Sequence, residues 1–284
     1  MSDFVRQQHS VCEFCSSDSW VILSPIEQSI KRKIEAVGTP LKDWDIQINY
    51  GIKTGYNEAF IINTEKRNEI LANCLSDEER QRTAELIRPI LRGRDIKRYG
   101  YVDNGLYLIN THNGVKGKFP HINIDDYPAI KAHLDQYWDK ISIRADKGDT
   151  PYNLRNCAYL EDFSQPKIVW GNLNLRASFA LVDNNSFINA PSPMIVPASK
   201  YLLGMLNSKI ADYFIRKLGV TRNGGYFEYK PMFVEQVPIP IESEYKSLIE
   251  DYVRLSNEDL IDQAVYKIYG LNQEEIDYVE SRED

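Results

Sequence analysis

The chain has 284 residues, with 34 Lys+Arg against 41 Asp+Glu, a net charge of −7, 43% hydrophobic and 26% charged residues. These values suit a globular chain long enough to bury a real core, and they exclude a disulfide mini-protein, a collagen-like chain and a mostly disordered one. No run approaches 18 apolar residues, the start lacks a basic-then-apolar secretory pattern, and four cysteines are too few for a disulfide framework. A reducing, cytoplasmic setting with no membrane contact is therefore expected.

The first expected helix is 25–37: Ser24 is the N-cap, Pro25 sits at N1, Glu27 completes a capping box and Gly38 stops it. Its Ile26, Ile30, Ile34 and Val37 share one face. Residues 45–63 read as strand, turn and strand. A second capping box, Ser76 with Glu79, opens a short polar helix toward Pro89. An arginine- and glycine-rich stretch, 91–101, leads to a strand at 107–110 and a loop at 113–120. Residues 128–141 then read as one helix. Strands are expected at 167–170 and 179–182. Three prolines in 190–197 predict a loop or an edge. Residues 199–218 give the strongest helical pattern, ended by Gly219. Pro238-Ile-Pro240 marks a boundary, because prolines at alternate positions block helix and central strand alike. Helices follow, from near Glu244, over 256–269, and after Asn272 with Glu275.

Charge is uneven. Residues 242–284 hold 13 acids and 4 bases, a net −9, which leaves 30 bases and 28 acids in 1–241. Within these, residues 80–118 hold 9 bases and 3 acids, a net +6. An acidic whole can thus present a basic face to a polyanion.

Catalytic signatures are missing from the sequence. It has no phosphate-binding Gly-x-x-x-x-Gly-Lys-[Ser/Thr] loop, no Gly-x-Gly-x-x-Gly turn, no Gly-x-Ser-x-Gly elbow and no His-Glu-x-x-His pair. Cys12-x-x-Cys15 is half of a zinc site that His9 could join, but no fourth ligand is visible, and free thiols are the plainer reading. Asp95-Ile-Lys97 and Glu244-Tyr-Lys246 recur at near chance frequency in any chain and fit solvated charge.

Binding signals are better. Arg92, Arg94, Lys97 and Arg98 are interleaved with Gly93 and Tyr99, a composition that suits phosphate oxygens or a guanine edge. The plain counterpart is a solvated loop whose arginines pair with the acidic tail. Lys53 and Thr54 lie in a glycine-bounded turn, which would otherwise be an ordinary hairpin turn. Lys116 and Lys118 flank Gly117. If 170–176 is one strand, Asn172, Asn174 and Arg176 share a face with Trp170, and Asn and Arg are residues that read adenine and guanine edges. Arg222, Asn223 and Tyr226 belong to a flexible loop of similar composition. Five weak signals separated by helices suggest several loops converging on one polyanion.

Gly51-Ile-Lys-Thr-Gly-Tyr-Asn-Glu-Ala-Phe-Ile-Ile-Asn63, followed by Ile87-Arg-Pro-Ile-Leu-Arg-Gly-Arg-Asp-Ile-Lys-Arg-Tyr99, resembles the TaqI-like C-terminal specificity domain of type II restriction-modification adenine methyltransferases. Leu202-Leu-Gly-Met-Leu-Asn-Ser-Lys209, Gln236-Val-Pro-Ile-Pro240 and the tail segment 261–275 are similar to the same family, and to type I specificity subunits. The resemblance spans about residues 20–280. It implies an α+β, mixed-sheet target-recognition domain over 21–240, a lead or linker over 1–20 and an acidic helical tail over 241–284.

It further implies sequence-specific recognition of double-stranded DNA beside a methyltransferase domain, in cis or in trans. That domain would bind S-adenosylmethionine and carry an Asn/Asp-Pro-Pro-Tyr/Phe motif for a flipped adenine. This sequence has no such tetrapeptide; Asn189-Ala-Pro-Ser-Pro193 is not one. The chain is thus expected to hold no cofactor, metal or catalytic site of its own, while the parent system would methylate adenine and could include a nuclease. Asn172, Asn174, Arg176 and Arg222 are the expected base readers, the cations the phosphate contacts, and the acidic tail the side facing away from DNA. One rival is a protein-interaction subunit without DNA contact. Another is a nuclease using Asp95 or Glu244.

Overall fold

The computed structural model describes residues 23–182 and 185–281. His9, Cys12 and Cys15 lie outside them. In chain order the described strands are β1 (Thr39–Pro40), β2 (Gln47–Tyr50), β3 (Ile61–Asn63), β4 (Ile87–Leu91), β5 (Ile96–Lys97), β6 (Gly100–Tyr101), β7 (Leu106–Ile109), β8 (Lys167–Trp170), β9 (Leu173–Asn174), β10 (Phe179–Val182), β11 (Phe187–Ile188), β12 (Pro193–Val196), β13 (Phe227–Glu228) and β14 (Pro238–Ile239).

An antiparallel central sheet runs β10-β8-β12-β2. Successive side chains on a strand point to opposite faces. Ile168, Trp170, Phe179 and Ile195 enter one core, while Val169, Ala180, Val182 and Met194 enter another. Because both faces are dry, residues 168–170 of β8 and all of β12 read as unbroken apolar runs rather than alternating ones. The first core is closed by helices Pro25–Val37, Lys200–Asn207, Lys209–Leu218, Lys246–Arg254, Glu258–Ile268 and Gln273–Glu280. The second is closed by a mixed sheet, β11-β4-β7-β3, in which β11 is parallel to β4, and by helices that include Thr64–Ala72 and Pro128–Asp135. The fold is α+β.

Several local expectations change. Residues 45–63 are not a hairpin: β2 belongs to the central sheet and β3 to the far edge of the other. Gly51 permits the crossing, since a Cβ there would lie 2.3 Å from the Ile188 carbonyl oxygen. β12 is an interior strand despite its prolines, because Pro193 is its first residue and Pro197 follows its last, so no interior ladder donor is lost. The helix expected over 199–218 breaks at Ser208, which ends one helix and caps the next by accepting from the Ala211 N–H at 3.2 Å. The break places Asn207, fully buried, against the edge of β10. Its amide accepts from Phe179 N–H and donates to Phe179 C=O, both at 2.9 Å, so one side chain serves as a short extra strand. The helix expected over 128–141 is likewise two, Pro128–Asp135 and Trp138–Ile141.

The acidic tail shares the first core. Ile249, Ile261 and Val265 are fully buried, each contributing about 1.5–3 kcal/mol. Gly204 lets the helices meet, as a Cβ there would come within 2.6 Å of Ile249 Cγ2. Ion pairs add to the seam: Lys33 with Glu275 at 2.6 Å and Arg98 with Glu258 at 2.7 Å.

Candidate nucleic-acid interface

Strand directions decide which loops meet. The end of β2, the start of β12, the end of β8 and the start of β10 all lie on one edge, because Tyr50 pairs with Pro193, Val169 with Met194, and Trp170 with Phe179. The ends of β4 and β11 join them: Ile52 N–H donates to Ile188 C=O at 2.7 Å and Asn189 N–H to Leu91 C=O at 2.8 Å. Gly93 packs beside Ser192 and Gly171; a Cβ on it would reach Ser192 Oγ at 2.7 Å and Gly171 Cα at 3.6 Å. The turn around Lys53, the Arg92–Arg94 segment and the loop after Trp170 are therefore neighbours. Arg222 to Tyr226 are joined to that loop by β13 pairing with β9, Phe227 opposite Asn174. Lys53 also lines a hollow with Arg155, Asn156, Cys157 and Ala158. The last three wall a second hollow, lined by Lys116 and Lys118.

The fourteen expected contact residues divide by what they already hold. Thr54 is 2% exposed and its hydroxyl donates to Asn57 at 2.6 Å, so it shapes the turn. Arg92 donates from Nε and Nη2 to both oxygens of buried Asp95, at 2.9 and 3.0 Å. Burial would raise the Asp95 carboxyl, but the Arg92 bonds outweigh it and hold the group below its usual range. Arg98 reaches Glu258 and the Ala177 carbonyl (3.1 Å), so the tail-pairing alternative holds for this arginine. Lys118 pairs with Glu161, and Arg222 with Glu228, whose carboxyl is held below its usual range by hydrogen bonds from Lys230 and Arg222. Lys97 donates to the Arg94 carbonyl at 2.9 Å. Lys53, Arg94, Lys116 and Arg176 are exposed, with no ion-pair partner among the described residues.

The expected continuous strand over 170–176 is absent. β8 ends at Trp170, fully buried with Nε1 donating to Tyr229 C=O at 2.6 Å, and the two-residue β9 belongs to a separate ribbon. Asn174 turns back to donate to Gly171 C=O at 2.7 Å. Asn172 keeps a buried Oδ1 without a hydrogen-bond partner. Leu173 and Leu175 point outward instead. Asn223 and Tyr226 are exposed at the ribbon tip.

Arg144 carried no sequence signal, yet it fixes the Lys53 turn. It is 7% exposed, and it donates to the carbonyls of Thr54 (2.5 Å), Asp146 (2.5 Å), Pro151 (3.0 Å) and Asn153 (2.6 Å). Its guanidinium lies 4.4 Å from the Phe60 ring centroid. Burial lowers its pKa to about 10, which leaves it charged at neutral pH. Cys157, on the wall shared by the two hollows, is pushed up to about 11 by burial, so it is a thiol rather than a reactive thiolate. No cluster of three or more metal-binding side chains occurs among the described residues, and no described helix is long and apolar enough to cross a membrane.

The sequence profile of the TaqI-like C-terminal specificity domain matches residues 88–239, more than half of the chain. The Type II methyltransferase M.BstVI of Geobacillus stearothermophilus is 22% identical over 279 residues, which are 94% of this chain and 47% of that protein. The chain thus spans about half the length of this relative. Among solved structures, the type IIL restriction-modification enzyme MmeI, in complex with DNA, matches with a TM-score of 0.63 at 14% identity, over 86% of this chain and 36% of that one. The type IIG restriction endonuclease BpuSI matches with a TM-score of 0.51 at 14% identity, over 86% and 33%. At this identity the two structures report shared fold. The profile match, over more than half of the chain, establishes that the chain belongs to the TaqI-like C-terminal specificity domain family of type II restriction-modification enzymes.

Proposed function

We propose that this chain reads a specific sequence in duplex DNA for an adenine-N6 methyltransferase of a restriction-modification system. The carrying observation is the convergence of separate loops on one edge, with Lys53, Arg94, Lys116 and Arg176 exposed and without an acidic partner among the described residues. Lys53, Arg94, Lys97 and Lys116 are assigned to phosphates, which set affinity and register. Arg176 and Arg222, with the exposed Asn223 and Tyr226 of the ribbon tip, are assigned to base edges, where a guanidinium fork discriminates guanine, while Asn172 and Asn174, turned toward the loop itself, shape it. Arg92, Arg98, Lys118 and Thr54 hold the loops in shape. S-adenosylmethionine and the adenine-binding tetrapeptide belong, on this reading, to a methyltransferase domain in cis or in trans; this chain's residues grip and align the duplex. The rival, arginines bound to a partner's acids, is less favoured for Arg92, Arg98 and Arg222, which Asp95, Glu258 and Glu228 of the chain itself already meet.

Gel shifts on duplex DNA across a salt series test this. Binding should weaken steeply with salt, and Arg94→Ala should reduce the slope of log K against log salt by about one. No binding at low salt would defeat the reading, and an unchanged slope would remove Arg94 from the phosphate contacts.

A further inference from the structure

The ribbon of β9 and β13 carries exposed apolar side chains close in the chain to Arg176 and Arg222. Leu173, Leu175 and Val220 are 52%, 53% and 50% exposed, and Tyr226 is 42% exposed. Leu175 reaches the glycine tip, 3.9 Å from where a Cβ on Gly225 would stand. Leu173 lies in β9 and Leu175 follows it in the bend that leads away from the strand, and both side chains meet solvent. Residues 172–178 and 219–230 hold Arg176, Arg222 and Lys230 against Glu228 alone, a net +2. That single carboxylate is 3% exposed and already paired. Four half-exposed side chains offer on the order of 400 Å², about half of what one partner buries in a stable protein interface. Small area, positive rim and protruding aliphatic tips fit a nucleic-acid groove better than a protein face.

We propose that Leu173 and Leu175 form a wedge that enters the groove and inserts at one base step, with Arg176 and Arg222 on either side. This rests on the DNA-reading function proposed above. Apolar side chains inserted at a step unstack it and bend the duplex, and the wider protein surface that the bent duplex can then cover offsets the unstacking. A site with unstacking already done should therefore bind more tightly.

The test uses the full chain and two probes: a random-sequence duplex, and the same duplex with a one-nucleotide gap. Wild type should favour the gapped probe by about tenfold. Leu173→Ser/Leu175→Ser should bring that ratio near one, with an unchanged salt slope and an unchanged unfolding midpoint, since both side chains already meet solvent. Absence of gap preference in wild type, or its survival in the double variant, overturns the wedge and leaves the DNA-reading function standing. Failure of wild type to bind either probe instead sinks the function itself, and the wedge with it.

Discussion

Replacing Arg144 by alanine should unlock the turn that presents Lys53. The side chain supplies four hydrogen bonds to carbonyls from three stretches of chain and covers the Phe60 ring. Hydrogen bonds from a charged donor contribute about 1.5–3 kcal/mol each, but burying a guanidinium without a carboxylate costs several kcal/mol. The difference, with the stranded carbonyls and the void included, comes to about 3–5 kcal/mol, a large share of the 5–15 kcal/mol that holds a typical domain. At about 2–4 °C per kcal/mol for a chain of this size, the unfolding midpoint should fall by about 6–20 °C. Arg144→Lys keeps the charge yet lacks the planar fork, so it should recover less than half of the loss. Denaturant melts give the free energy, and gel shifts on the folded fraction give the effect on DNA affinity. A loss under about 1 kcal/mol for Arg144→Ala would refute the idea that this hub organises the turn.

Arg98→Ala should lower stability by about 1–3 kcal/mol and leave the salt slope of DNA binding unchanged, because its guanidinium faces Glu258 and Ala177; a reduced slope would return it to the phosphate contacts. Arg222→Ala should relax discrimination at one base pair by about 1–3 kcal/mol, read by competition among single-substitution duplexes, and uniform weakening would contradict base readout. Asn207→Asp keeps the acceptor for Phe179 N–H but sets an oxygen against Phe179 C=O, so chemical denaturation should report a loss of about 1–3 kcal/mol at neutral pH. Acid should unfold the helical side early. Burial would raise the Glu27 carboxyl, but bonds from Lys217 and Ser24 bring it to about 2, and Lys33 and Asn272 similarly lower Glu275. Groups depressed in the folded state stabilise it above their unfolded pKa, so this contribution should drain away as pH falls from about 4.5 to about 2. Glu27→Gln should flatten the midpoint-against-pH curve in that window, and an unaltered curve would remove Glu27 from the account.

Sequence by itself settled what depends on neighbours within one turn of chain. The capping boxes at Ser24 and Asn272 form as spelled, since their partners sit three residues away. The box at Ser76 is half realised: the Glu79 carboxylate accepts instead from Leu75 and from Ala129, fifty residues on. The basic segment and the family motifs were legible as well, because composition and order survive without coordinates. Tertiary structure alone decided which cations are free. Arg94 and Arg98 look alike in the chain, yet one is exposed and the other meets a carboxylate 160 positions away. It also made β12 an interior strand, turned Asn174 inward and Leu173 outward, and used Arg144 as a hub. Periodicity and caps are local free energies written in adjacent residues, whereas ion pairing and burial depend on which strands lie side by side, and that is set by the packing of the whole chain.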